Sequence, residues 1–243
     1  MNTRKSDQHA SLMLLLVAAT MLFASCTKDD PFPMLKKGAF SISATEQVRF
    51  AAGNLCYDAE SGYSFADHQY EYGDHFGWGS GDNPSNTATG SSPYATYVEW
   101  GDNLDESGWR TLTHEEWTYL LFERPEAGSK RICATVCGIH GIIILPDDCQ
   151  PEGLNLFVMD WETNTFGAEE WERMEKKGVL FLPAAGTRFD ETIEHQGEVC
   201  QYWTSTPYSD RYAYYVYANP AQLGTYYDGN RGTGRSVRLV RPL

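Results

Sequence analysis

The sequence predicts an α+β fold with two short helices, small twisted antiparallel sheets and long ordered loops. Three observations carry that expectation: a helix start at Thr113-His-Glu-Glu116, a second helical stretch bounded by charges and a glycine, and many short β-branched and aromatic runs. The runs are separated by Gly, Pro, Asn and Asp, so each strand is brief and the helices are few.

In chain order, residues 39–50 alternate apolar and polar side chains and read as the first strand. Residues 53–103 are rich in Gly, Asp, Asn, Ser, Tyr and Trp, which predicts long ordered loops, residues 79–93 above all. The Thr113 hydroxyl and the Glu116 carboxylate can each satisfy the other's free amide, a capping box that opens a helix over residues 114–122. Residues 135–145 are rich in β-branched side chains and read as a strand, ended by the turn residues Pro146, Asp147 and Asp148. A second helix spans residues 168–177. Glu169 and Glu170 lie at its positive end, Lys176 and Lys177 at its negative end, and Gly178 follows as a C-cap. Further strands are expected at residues 179–183, 202–205, 212–218 and 236–241. No second domain boundary and no internal repeat interrupts this succession.

The first residues carry a different message. Arg4 and Lys5 precede an apolar run over residues 12–23 and then Ala24-Ser25-Cys26, the order of a secretory signal whose apolar part is too short to span a bilayer. Ala24-Ser25-Cys26 resembles a bacterial lipobox. That resemblance implies a signal peptide over residues 1–25 and lipidation of Cys26. Cys26-Thr-Lys-Asp-Asp30 is similar to the charged tag that sends lipoproteins of certain Gram-negative anaerobes to the outer face of the outer membrane. The membrane partner is then reached through covalent lipid, each buried methylene contributing about 0.8 kcal/mol. Residues 26–37 form the acylated tether and residues 38–243 the domain it carries.

Charge narrows the partners. With 19 Lys plus Arg against 33 Asp plus Glu, the net charge of -14 opposes an electrostatic hold on nucleic acid or anionic lipid. Beyond Cys26, five cysteines remain: Cys56, Cys133, Cys137, Cys149 and Cys200. Their odd number leaves at least one thiol unpaired within the chain. Cys133 and Cys137 are expected about 13 Å apart on one face of a strand, out of bridging range, and read as buried free thiols. Asp67-His68 and Asp74-His75 lack a third ligand at a known metal spacing. Asp102, Asp105 and Glu106 form an acidic loop that departs from the EF-hand pattern. No serine-nucleophile elbow, Walker loop or zincin motif occurs, and no cofactor is expected.

Gly108-Trp-Arg-Thr-Leu-Thr-His-Glu-Glu-Trp-Thr-Tyr-Leu-Leu121 resembles a segment of the C-type-lectin-like domains related to formylglycine-generating enzyme. Phe181-Leu-Pro-Ala-Ala-Gly-Thr-Arg188, Tyr202-Trp-Thr-Ser-Thr206 and Ser236-Val-Arg-Leu-Val-Arg241 follow in the order such domains use. The resemblance implies that fold over residues 38–243, with Trp109, Trp117 and Trp203 as core anchors. It does not carry over catalysis, because those enzymes use a paired cysteine site late in the domain and Cys200 is alone after Cys149. The calcium-holding triplets of sugar-binding C-type lectins are absent too. A noncatalytic role follows, the alternatives being a thiol- or peptide-modifying enzyme acting through Cys200 and a structural part of a surface assembly.

Eight of the 15 tyrosines lie between Tyr202 and Tyr227, interleaved with Asp, Asn and Arg. Tyr212 and Tyr214 would share one face of a strand, and Tyr215 and Tyr217 the other, so some rings must be exposed unless the sheet is covered on both sides. Tyr with Asn, Asp and Ser makes an adaptable, paratope-like surface. The layout also resembles the variable region of retroelement-diversified proteins. The expected ligand-binding set is Tyr208, Asp210, Tyr212, Tyr214, Asn219, Tyr226, Tyr227, Asp228, Asn230 and Arg231, facing an external glycan or protein.

Overall fold

A computed structural model describes residues 32–80, 96–104, 108–149 and 153–243. The signal segment, Cys26, most of residues 79–93, Asp105 and Glu106 lie outside the described residues, so of the expected acidic loop only Asp102 is described. The described residues are mixed α+β, with two short α-helices and small sheets that are antiparallel save for one parallel pair. Folded structure begins before residue 38. Phe32 and Leu35 are buried, and Leu35 N–H donates to the Phe50 carbonyl at 2.9 Å.

Strands β1 (Phe40–Ser41) and β2 (Gln47–Phe50) form a hairpin where a single strand was expected, because the intervening polar residues turn on the Ser43 hydroxyl. The segment read as loops contains a second hairpin, β3 (Leu55–Asp58) with β4 (Gly62–Phe65). Its turn is closed by the Asp58 carboxylate, which accepts from the amides of Glu60 and Ser61.

Helix α1 (His114–Thr118) begins on the expected capping box. The Glu116 amide donates to Thr113 Oγ1 at 3.1 Å, and the Thr113 amide donates to Glu116 Oε2 at 2.8 Å. A π-helical turn, Tyr119–Glu123, prolongs it. The run at 135–145 is two strands, not one: β5 (Arg131–Val136) and β6 (Ile139–Ile144). Cys137 and Gly138, with φ of 51° and 82°, make the two-residue hairpin turn between them. Cys137 therefore stands in the turn and Cys133 is buried in β5, instead of both lying on one strand face.

The four-stranded sheet is completed by β7 (Thr165–Phe166), parallel to β5, and by β8 (Leu180–Pro183), antiparallel to β6. Helix α2 (Ala168–Glu175) buries Trp171 against this sheet. After the small hairpin β9 (Thr187–Phe189) and β10 (Thr192–Glu194) comes a three-stranded antiparallel sheet. It consists of β11 (Cys200–Pro207), β12 (Tyr212–Asn219) and β13 (Gln222–Asn230), the last unforeseen. The final strand, β14 (Val240–Pro242), pairs with β2, so the sheet β1-β2-β14 joins the two ends of the folded region.

Among the described residues apolar side chains gather in three buried clusters. Trp117 lies in one with Phe40, Phe50, Leu182 and Val216, whereas Trp109 and Trp203 share another with Trp78, Trp100, Val237 and Leu239. All three expected tryptophan anchors are thus core residues. Among the described residues no helix is long and apolar enough to cross a membrane.

Candidate ligand-binding face

The C-terminal sheet is held from both sides. On one side the imidazole of His114, at the start of α1, stacks on Tyr214 with 4.2 Å between ring centroids, and Tyr208 meets Tyr214 edge-on at 5.3 Å. A His114 ring nitrogen lies 2.9 Å from the Thr225 carbonyl oxygen, and the Thr118 and Thr225 hydroxyls are 2.7 Å apart. On the other side the Arg235 guanidinium sits between Trp203, at 4.3 Å, and Tyr215, at 4.0 Å, while its Nε donates to Gln201 Oε1 at 2.8 Å. These ring contacts fix the sheet's position and leave its margin to solvent.

At that margin the pairing of β12 with β13 is irregular. Tyr215 faces Tyr227, but Tyr217 faces Gly224, so the single residue Val216 stands opposite both Thr225 and Tyr226. This bulge brings onto one side two consecutive tyrosines that a regular strand would send to opposite faces. The Tyr226 and Tyr227 rings stack at 4.9 Å and 20°, with Tyr217 5.0 Å and Tyr215 6.0 Å from Tyr227. Both rings overhang Gly224, where a Cβ would come within 2.8 Å of Tyr227 Cε2 and 2.9 Å of Tyr226 Cε1. The Asn219 carboxamide oxygen shapes the preceding turn by accepting from the amides of Ala221 and Gln222. Its Nδ2 donates to the Tyr217 hydroxyl at 2.9 Å, and the Tyr227 hydroxyl donates to Gln222 Oε1 at 3.0 Å. Desolvation raises the phenol pKa values of Tyr217 and Tyr227, the latter raised further by Tyr226, so both hydroxyls stay protonated.

The expected binding residues fall into separate groups. Tyr226, Tyr227 and Asn219 come together, whereas Tyr208 and Tyr214 form a second contact near α1. Tyr226 is 68 % exposed, Tyr208 55 % and Tyr212 41 %, and Asp210 and Asp228 are also exposed. Asp228 lies opposite Tyr214, and Asn230 opposite Tyr212, where the Asn230 Oδ1 accepts from the Gly232 amide. Arg231 departs from the expectation of a solvent-facing group. It is only 4 % exposed, its guanidinium covers Trp78 at 4.3 Å, and it donates to the Ser209 and Tyr212 carbonyl oxygens. A guanidinium so engaged braces the loop between β11 and β12 rather than presenting itself to a ligand. Tyr217 and Gln222 were outside the expected set, although the Asn219-Pro220 turn signal is what sets Gln222 opposite Asn219.

Chemistry elsewhere is restrained. Cys200 is buried, its thiol donates to the Leu182 carbonyl oxygen at 3.4 Å, and burial pushes its pKa well up. Burial likewise pushes Cys133 up to about 12 and Cys56 up to about 11. A thiol mechanism through Cys200 would lack an accessible sulfur. His75 is buried with Nε2 2.9 Å from the Ala185 carbonyl oxygen, Asp74 accepts from the Tyr57 amide, and His68 stacks on Tyr70. Among the described residues no group of three His, Cys, Asp or Glu converges as a metal site would require. Comparison of the chain with protein-family models, with curated proteins and with solved structures finds no match.

Proposed function

We propose that this chain is a cell-surface lipoprotein, anchored through Cys26, whose C-type-lectin-like domain binds an external ligand with its tyrosine-rich C-terminal sheet. The anchor reading rests on the signal and lipobox-like residues 12–26. The fold reading rests on the order of the four motifs between residues 108 and 241, together with the two short helices and small sheets. The observation that carries the binding reading is a contrast on both sides of the sheet: Tyr208 and Tyr212 on the side of Tyr214, and Tyr226 on the side of Tyr215 and Tyr227, are open to solvent, while Tyr214, Tyr215 and Tyr227 are fixed by ring contacts. Large rings held in place lose little entropy on binding, which is how tyrosine-rich recognition surfaces gain affinity.

The full-length protein in detergent, applied to arrays of glycans and of extracellular proteins, should capture at least one class of probe. The combined variant Tyr208→Ala, Tyr212→Ala, Tyr226→Ala should lose capture with a thermal midpoint close to the parent's. Capture that survives all three changes would remove this sheet from the binding reading.

A further inference from the structure

The geometry points to a neutral polysaccharide strand as the ligand, seated against the exposed Tyr226 ring, which Tyr227 and Tyr217 back; this rests on the binding role proposed above. The Tyr226 ring is open to solvent, and the side chains hydrogen-bonded around Tyr217 and Tyr227 behind it are uncharged. Tyr226 and Tyr227 lie within 20° of parallel, and Tyr226 is 68 % exposed. The bulge at Thr225 and Tyr226 puts both rings on one side, where Tyr227 stacks behind Tyr226, and the bare backbone of Gly224 beneath them leaves room for the pair.

The chemistry selects sugar over other occupants. An aromatic face carries negative quadrupole charge and attracts weakly positive C–H groups, and one face of a pyranose ring is a patch of such groups. The hydroxyls around a sugar ring donate and accept at once, so they are matched by neutral amides and phenols. Here the rim is the Asn219 and Gln222 carboxamides and the Tyr217 and Tyr227 hydroxyls, already linked in pairs at 2.9 and 3.0 Å. The carboxylate next in sequence, Asp228, belongs to the opposite face, across from Tyr214. A protein ligand would seat its anchoring side chains in desolvated pockets, whereas the Tyr226 ring stands out into solvent, 68 % exposed. An acidic polysaccharide would meet a chain of net charge -14. A polymer is favoured over a single sugar because an exposed aromatic ring buries little of one sugar, and repeated units raise the effective concentration of the next contact.

Affinity electrophoresis of the full-length protein in detergent tests this, with mannan, dextran, galactan and glucomannan as neutral probes and polygalacturonate as the acidic one. The expected result is retardation by at least one neutral polymer, unchanged by added salt. Tyr226→Ala should weaken it about tenfold, the loss of one stacking contact and its buried area. Tyr226→Phe should retain it, since the ring and not the hydroxyl makes the seat, and both variants should keep the parent's thermal midpoint. No retardation by any neutral polymer, retardation by polygalacturonate alone, or retardation indifferent to Tyr226→Ala overturns the inference. If the protein array instead yields a Tyr226-dependent protein ligand and the neutral polymers fail, the sugar assignment falls and the binding role of the face stands. Failure of both arrays removes both.

Discussion

Arg238 is 1 % exposed, yet its guanidinium meets only neutral oxygens in its hydrogen bonds: Asn54 Oδ1 at 2.8 Å, and the Ala51 and Phe181 carbonyls at 3.1 Å. Asn54 in turn donates to the Tyr202 hydroxyl, which donates to the Pro183 carbonyl, so one buried cation ties three distant segments together. Sequence alone cannot distinguish this arginine, or Arg231 stacked on Trp78, from a solvated one, because partners up to 187 positions apart or across a loop leave no local mark. The tryptophans were legible for the opposite reason: their size makes burial the default. Burial also gives the molecule an alkaline liability. Cys133, pushed up to about 12, and Cys200, raised well above the usual thiol value by burial, keep their protons in the folded state, whereas in the unfolded chain they titrate near the ordinary value of 9.0. The unfolded state therefore binds fewer protons above that value, and stability must fall as pH rises. Arg235 and Arg238, lowered to about 10 by burial, act in the opposite sense only at higher pH. Urea midpoints should drop between about pH 8 and about pH 10, and Cys133→Ala should flatten the slope; a level profile in the parent would contradict this account.

Helix α1 was the element most fully written in the sequence, because a capping box is a local interaction between residues three apart. The structure adds what locality hides. The Glu116 carboxylate that closes the box also receives both terminal nitrogens of Arg110, at 2.6 and 2.7 Å, and so links the helix to the chain before it. Thr113→Ala should cost about 1 kcal/mol in a urea titration. Glu116→Ala should cost more, since it strips the cap and strands Arg110 together; equal costs would show the ion pair to be idle. Strand β13 was illegible for a comparable reason. Gly224, Gly229, Asp228 and Asn230 are poor strand formers, and the segment is a strand only because β12 pairs with it and α1 holds Thr225. Residues 135–145 misled differently. Their β-branched content is real, but the break lies just after Val136 at Cys137-Gly138, and cysteine in a left-handed turn gives no compositional warning.

At the scale of the molecule, the kinds of element were readable and their partners were not. That Phe50 would stand beside Val240 is information carried by no window of sequence, and the register Val240↔Phe50, Arg241↔Arg49, Pro242↔Val48 emerges only from the assembled core. Val240 also bridges to Arg110, exchanging two backbone hydrogen bonds at 2.8 and 2.9 Å, so one short strand secures both β2 and the approach to α1. Removing residues 239–243 should abolish cooperative unfolding and leave a protease-sensitive chain; a sharp, parent-like transition would show β14 to be dispensable. That clasp also has a consequence for biogenesis. Because β14 follows every other described strand, the β1–β2 hairpin of a nascent chain keeps one edge open until that strand has left the ribosome, and the sheet closes only then.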